Sequence, residues 1–316
     1  MPFNPRRKVE KFLQRNPDVS TIVVTGAFGR KSAIRSLGII LGQVATVTVG
    51  VNQNIIPDLV IFDYKSSQDF PNFRPDVVIV TSCRTKEQAQ EFFGLANQAG
   101  AVFVNHNDVP ADFVQYLKNP EVTSYGDELP AHYYFEEHAF SLQGYEGDIV
   151  NPAHEHLPVK LKILGEHNVR PVTMAAAVAK YFGMQAGDIL KGINEITPLR
   201  GRMSPAKGLR GSTIIDDSAY ISANSVHLGI QAIEQLEAPA KIVVTNSAQS
   251  VPEADLERLT EVAVLGQQPA NAPAQEKIHY FNDELSLMNY IGGRLEPGTI
   301  VLLEIPLPDI IESYVW

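Results

Sequence analysis

The sequence predicts two consecutive α/β units: a P-loop-type, mostly parallel sheet over residues 1–197, then a smaller Rossmann-like unit over 198–316. Three observations point there. Apolar, β-branched runs alternate with helical patterns along the chain, a glycine turn follows the first run, and Pro and Gly crowd together at 194–208 between two series of runs.

In the first series the runs are TIVVTG (21–26), VATVTVG (44–50), DLVIFDY (58–64), DVVIVTS (76–82) and AVFVNH (101–106). Near-continuous Val and Ile mark strands covered on both faces, so a parallel sheet with helices on both sides is expected. Helices fit 32–41 and 85–99, the second stopped by Gly100. After the Pro, His and Glu-rich NPAHEHLPVKLKILGEHN (151–168) comes an alanine-rich helix, PVTMAAAVAKYFGM (171–184), with Gly183 placed to end it. Pro198, Gly201 and Pro205 then punctuate a hinge at about 196–204, with a nucleotide cleft expected between the two units. Beyond it STIIDDS, AKIVVTN, EVAVLG, KIHYF and GTIVLLE read as strands, with helices at about 224–236 and 283–295.

With 316 residues, 44% of them apolar, the chain can bury a sizeable core without staples. Cys83 is its one cysteine, which excludes an intrachain disulfide framework and, with no histidine cluster beside it, a zinc site; a reducing compartment fits. The opening MPFNPRRKVEKFLQRN carries charges where a secretory signal needs an apolar core. No later apolar run approaches the ~20 residues of a membrane span, so a soluble, cytoplasmic protein is expected. A formal net charge of −10 without a stripe of Lys and Arg argues against a nucleic acid partner.

The stretch VTGAFGRKS (24–32) joins a strand to a helix through Gly26 and Gly29. That arrangement aims backbone N–H groups and the positive helix end at phosphate. The usual loop sets lysine directly after the second glycine and a hydroxyl residue directly after the lysine. Here Gly29 is followed by Arg30, Lys31 and Ser32, so the loop either shifts by one residue, putting Lys31 and Ser32 in those roles, or uses Arg30 for phosphate. A tight turn carrying ordinary surface cations is the plainer alternative. There is no GxGxxG, and a dinucleotide-binding unit gains little support.

Three further stretches, in fixed order, carry a family resemblance. LKILGEHNVRPVTMAAAVAKYFGM is similar to the Mur ligase segment L-x-L-x-G-x-H-N-x-x-N-x-x-A-A-x-A-x-A-x-x-x-G. PLRGRM resembles that family's P-x-x-G-R-M/L, and STIIDDSAYISANSVHLGIQAIEQL its I-D-D-x-A-x-N-P-x-S segment with the helix that follows. With the glycine loop, the resemblance runs from about residue 21 to the end. It makes the first unit a shortened Mur ligase central domain and the second a Mur ligase C-terminal domain.

Mur ligases, and relatives in folate polyglutamation and cyanophycin synthesis, use ATP to turn a carboxylate into an acyl phosphate that an amine attacks. The resemblance implies ATP and Mg²⁺ as cofactors, a small-molecule or peptide substrate with a carboxylate plus an amine, and a role in peptidoglycan synthesis beside cell-wall enzymes as partners. By position, Gly26, Gly29, Arg30, Lys31 and Ser32 hold the phosphates and His167 and Asn168 reach the adenine. Arg202 with Asp216 or Asp217 closes over the nucleotide. Arg30 and Lys31 become the catalytic cations, and Ser32 and Asp63 the metal ligands, Asp63 standing where the family has the Glu of E-x-S-S. Plainer roles exist for several: Asn168 as a helix cap, Arg202 as an exposed linker residue, the aspartates as caps.

The departures from the family pattern are as specific as the matches. VTSCRTKEQA (80–89) lacks the His and Asp of T-N-x-x-x-D-H, and Lys65 lacks the surroundings of the family's modified lysine. Pro171 replaces the second Asn of the adenine segment, DDSAYISANS lacks Asn-Pro, and VLLEIPLPD stands where Lys-Gly-Ser is common. The loop begins so early that the domain gripping the uridine nucleotide is expected to be missing. Three readings follow: an ATP-dependent amide ligase, a catalytically eroded relative acting as a nucleotide-binding or structural partner, and an unrelated α/β oxidoreductase.

Overall fold

The first sheet starts from β1 (Ser20–Thr25), whose Ile22, Val23 and Val24 have no solvent exposure. The computed structural model describes residues 5–52, 54–65, 73–219, 223–269, 276–307 and 310–314. Parallel partners flank β1: β3 (Leu59–Tyr64) on one side, followed by β2 (Val47–Val49), and β4 (Val77–Val80) on the other, followed by β5 (Ala101–Asn105) and β6 (Val122–Gly126). The sheet continues through β7 (Tyr133–Ser141), β8 (Gly144–Val150) and β9 (His156–Leu161), giving nine strands in the order β2-β3-β1-β4-β5-β6-β7-β8-β9. Every residue of β4 and β5 is buried, as the unbroken apolar runs predict. Each fully buried Val or Ile stabilises the unit by about 1.5–3 kcal/mol.

The apolar runs of the first series coincide with β1 to β5, whereas β6 to β9 carry no such run. The reason is physical. β7 and β9 are half-exposed, rich in Glu, His and Lys, and keep only scattered inward positions such as Phe135, Val159 and Leu161.

Helices α1 (Pro5–Arg15), α2 (Arg30–Leu41), α3 (Lys86–Ala96), α4 (Glu166–Tyr181) and α5 (Ala186–Asn194) accompany the sheet. Thr85 caps α3 by accepting from the Gln88 N–H at 3.3 Å, so the helix begins one residue after the expected start. Pro171 does not open the alanine-rich helix either. The chain turns at Gly165, whose φ of 79° is left-handed, and α4 starts at Glu166 with Pro171 inside it. α5 lies so close to α2 that a Cβ at Gly192 would sit 2.6 Å from the Ile40 Cα.

The second sheet orders its strands β14-β13-β12-β15-β11-β10-β16: β10 (Ser204–Gly208), β11 (Thr213–Asp216), β12 (Lys241–Thr245), β13 (Glu261–Leu265), β14 (Ile278–Phe281), β15 (Ile300–Leu303) and β16 (Ile311–Tyr314). β10 is antiparallel to β11 and to β16; the pairs β11–β15, β15–β12, β12–β13 and β13–β14 are parallel. Alternation along the strands sends Ile215, Val243 and Leu302 to one face and Ile214, Val244 and Leu303 to the other. Val226, Ile230 and Ile233 of α6 (Ala223–Glu234) cover the first face, and Leu287 and Ile291 of α8 (Glu284–Gly292) the second. A short α7 (Glu253–Leu256) lies between β12 and β13 in the chain.

The chain divides into two compact units: Met1–His138, Glu146–Leu161 and Asn168–Ile196 in one, Ala139–Tyr145, Lys162–His167 and Thr197–Trp316 in the other. Two short segments ahead of the Pro and Gly cluster thus belong to the second unit. Among the described residues no helix is long and apolar enough to cross a membrane.

Candidate nucleotide site

β1 ends at Thr25 and the chain turns through Gly26 (φ 142°) and Gly29 (φ 82°), both outside the range that a side chain tolerates. A Cβ on Gly26 would lie 2.2 Å from the Thr81 Oγ1 and 2.8 Å from the Ser82 backbone N. Only glycine fits there. Gly29 precedes α2 and supplies no side-chain cap, and the first helical bond runs from the Ala33 N–H to the Gly29 carbonyl at 3.1 Å. The first-turn N–H groups of a twelve-residue helix are therefore turned outward without a capping side chain.

The loop is tied to the end of β4. Ala27 N–H donates to the Ser82 carbonyl at 3.3 Å and Phe28 N–H to the Ser82 Oγ at 2.8 Å. The Phe28 carbonyl accepts from the Ser82 hydroxyl at 3.1 Å and from the Thr81 hydroxyl. Thr81 and Ser82 belong to the stretch whose missing His and Asp stood out in the sequence, and their hydroxyls shape the turn instead.

Arg30, the first residue of α2, folds back on this turn. Its Nε donates to Asp63 Oδ1 at 2.6 Å, and its Nη1 donates to the Gly26 carbonyl. Lys31 is exposed and makes no ion pair with a described residue, while Ser32 is half-buried. Asp63, near the end of β3, is thus engaged by a guanidinium. Among the described residues no group of three or more His, Cys, Asp and Glu could hold a metal ion. Arg30 thus competes with Mg²⁺ for Asp63, one of the two ligands, with Ser32, expected of the metal.

A second polar constellation lies at the ends of β5 and β6. Arg170 makes a bidentate pair with Asp127, Nη2 to Oδ2 at 2.6 Å and Nε to Oδ1 at 2.9 Å, and its Nη1 reaches Asp108 Oδ2 at 2.9 Å. Burial opposes the Arg170 charge, but the two aspartates outweigh it and raise the guanidinium pKa. The Asn105 amide bridges Asp108 at 2.7 Å and the Thr81 carbonyl at 3.0 Å, which joins this network to the residue that shapes the loop. In the sequence, the polar run NHND after a buried strand is its visible trace.

His167 and Asn168 are half-buried and occupy the first turn of α4. Asn168 lies inside the helix, so the capping role considered for it is excluded; the turn before the helix belongs to Gly165. A Cβ on Gly165 would come within 2.7 Å of the His167 ring.

In the second unit, Asp216 ends β11 and its Oδ1 accepts from the Ser218 hydroxyl at 2.6 Å. Asp217 Oδ1 accepts from the Met203 N–H at 3.0 Å, holding a non-glycine residue at φ 49°. That conformation costs about 1–3 kcal/mol, which the buried Asp217 anchor offsets. Burial raises the Asp217 pKa to about 7 against the Met203 hydrogen bond and the Arg202 charge. Arg202 is half-buried; Arg200, which the motif reading passed over, lines a cavity of about 250 Å³ with Gly201, Asp216, Ser218, Ala219 and Leu307. The DDSAYISANS counterpart is described to Ala219 and again from Ala223, residues 220–222 lying outside the described residues, as do 308–309 of VLLEIPLPD.

No family model matches the sequence. UDP-N-acetylmuramate–L-alanine ligase of Chelativorans sp. (strain BNC1) is 30% identical over 135 residues, 41% of this chain and 28% of that relative. MurF from Acinetobacter baumannii superposes with a TM-score of 0.74 at 16% identity, over 95% of this chain and 76% of that one. The local sequence identity and the shared two-domain fold agree. The chain resembles Mur ligases in sequence over part of its length and shares their fold. MurF ligase from Thermotoga maritima in complex with ADP also matches, with a TM-score of 0.72 at 14% identity, over 95% of this chain and 79% of that one. As in the sequence reading, the Mur ligase framework accounts for both α/β units. The match to the Chelativorans relative spans less than a third of its length.

Proposed function

We propose that this Mur ligase-like chain binds ATP at the turn from Gly26 to Ser32 and acts as a carboxylate–amine ligase, with 1–197 as the ATP-binding domain and 198–316 as the C-terminal domain. The observation that carries the reading is the glycine turn that leads from β1 into an uncapped α2, where two positions accept no side chain. The ADP complex of Thermotoga maritima MurF, similar in fold, supports the choice of an adenine nucleotide.

In the proposed reaction the γ-phosphoryl group passes from ATP to a carboxylate oxygen, the bond to the bridging oxygen breaks, and ADP leaves. The amine nitrogen then attacks the acyl carbon, phosphate departs with the bonding pair, and the amine proton goes to water. Lys31 and the α2 N–H groups would stabilise the phosphoryl charge, His167 and Asn168 would meet the adenine, and Arg202 with Asp216 and Asp217 would complete the nucleotide contacts. A muramyl carboxylate joined to an amino acid is the substrate class that the name of the relative, UDP-N-acetylmuramate–L-alanine ligase, suggests.

A second reading, a nucleotide-binding relative without turnover, is favoured by the Arg30–Asp63 pair, which commits one expected metal ligand elsewhere. Melting curves with ATP and with ADP, combined with phosphate release across panels of carboxylates and amino acids, separate the two. A nucleotide-dependent rise in Tm with phosphate release supports the ligase; the rise alone supports the second reading. No rise with either nucleotide removes both.

A further inference from the structure

The Arg30–Asp63 pair occupies the position where the family reading placed a magnesium ligand, and the disagreement says something about the loop. Guanidinium presents five N–H donors in a planar fork. Two are used, Nε on Asp63 at 2.6 Å and one Nη1 hydrogen on the Gly26 carbonyl, leaving three. A lysine ammonium, a point donor at the end of a flexible stem, could not brace β3 and the glycine turn in this forked way. The side chains are only partly exposed, at 20% and 27%.

We propose that Arg30 is a built-in cation of the nucleotide loop, holding Asp63 in the place of a metal ion, so that nucleotide phosphates bind here without Mg²⁺. Asp63 is then a positioning residue for Arg30. The inference rests on the nucleotide reading given above and adds the cation requirement of that site. Mg²⁺ needs near-octahedral oxygens at about 2.0–2.1 Å and sheds water reluctantly. A carboxylate already satisfied by a guanidinium offers it little, and the described residues supply no other cluster.

The test measures ADP and ATP affinity calorimetrically for the full chain, in Mg²⁺ and in EDTA. For the wild-type chain the two affinities agree within about threefold. Arg30→Ala releases Asp63 and makes binding magnesium-dependent by about tenfold or more, and Asp63→Asn added to that variant removes the dependence again. The inference is overturned if wild-type affinity falls at least tenfold in EDTA and Asp63→Asn abolishes the fall, because Asp63 is then a metal ligand. It is equally overturned if Arg30→Ala stays magnesium-independent. Magnesium-dependent binding leaves the nucleotide reading standing, whereas no binding under any condition removes that reading and the inference with it.

Discussion

The backbone N–H of Asp217 donates to the carbonyl of Leu303 at 2.8 Å, and this bond brings the end of β11 alongside the residue that follows Leu303, Glu304. Glu304 has no solvent exposure and neither of its carboxyl oxygens has a hydrogen-bond partner among the described residues. Burial, and then the charge of Asp217, push its pKa up to about 9. Both carboxyls are thus held above the usual carboxylate range, Asp217 to about 7 and Glu304 to about 9, chiefly by burial.

The sign of the pH effect follows. The folded chain keeps protons that the unfolded chain loses above about pH 4.5, so stability is full below that pH and declines as pH rises through about 7 and 9. Tm should fall between pH 5 and pH 9, and Glu304→Gln, which carries no charge at any pH, should flatten the upper part of that fall. Each kcal/mol recovered is worth roughly 2–8 °C. Equal slopes for the two proteins between pH 7 and 9 would count against a buried, protonated Glu304.

Lys31 should matter more to ATP affinity than Arg30 in the presence of Mg²⁺, because Arg30 is already held by Asp63 and Gly26 whereas Lys31 is exposed and unpaired among the described residues. Loss of a charge-assisted hydrogen bond costs about 1.5–3 kcal/mol, or roughly 10- to 150-fold in affinity. Calorimetric titration of Lys31→Ala and Arg30→Ala ranks them; a larger loss from Arg30→Ala would reverse the assignment.

Arg170 ties Asp108 and Asp127 together in a partly buried network, side chains 13% and 23% exposed. Arg170→Ala leaves two carboxylates near each other without a cation, holding the amide bonds from Asn105 to Asp108 and from Asn107 to Asp127, and after allowance for their exposure the expected cost is about 2–4 kcal/mol. Arg170→Lys should recover only part of it, since an ammonium cannot reproduce the bidentate contact. Urea unfolding of both variants measures the difference.

Gly192→Ala sets two effects against each other. Helix propensity favours alanine by about 1 kcal/mol, but the new Cβ would lie 2.6 Å from the Ile40 Cα and 3.1 Å from its Cγ1, and overpacking costs about 1–3 kcal/mol. The contact is with backbone, so steric cost should win and Tm should drop. A rise in Tm would mean that α5 shifts away from α2 freely.

How far the sequence carries the fold depends on burial. β1, β4 and β5 are legible because both faces are covered and the apolar run is unbroken; β7 and β9 are not, because one face is wet and their Glu and His residues blur the period. Gly26 and Gly29 stand out as turn residues from spacing alone, and the structure adds what spacing cannot, the collision that a Cβ would make with Thr81. The partnership of Arg30 with Asp63 spans 33 positions and belongs to tertiary structure, so no local pattern reveals it. Glu304 is hidden for a related reason: a lone acid after VLL reads as the polar end of a strand, and only packing shows it buried.

The bonds from Ala27 and Phe28 to Ser82 bear on timing as well as shape. A loop whose amides are already spoken for enters a binding event as a finished mould, and the entropy of ordering it has been lost during folding rather than at the encounter. Two amides fewer face the ligand, so grip is traded for readiness. Amide exchange at Ala27 and Phe28 would then be slow before any nucleotide arrives and little altered afterwards, with the response to a ligand concentrated in the first turn of α2.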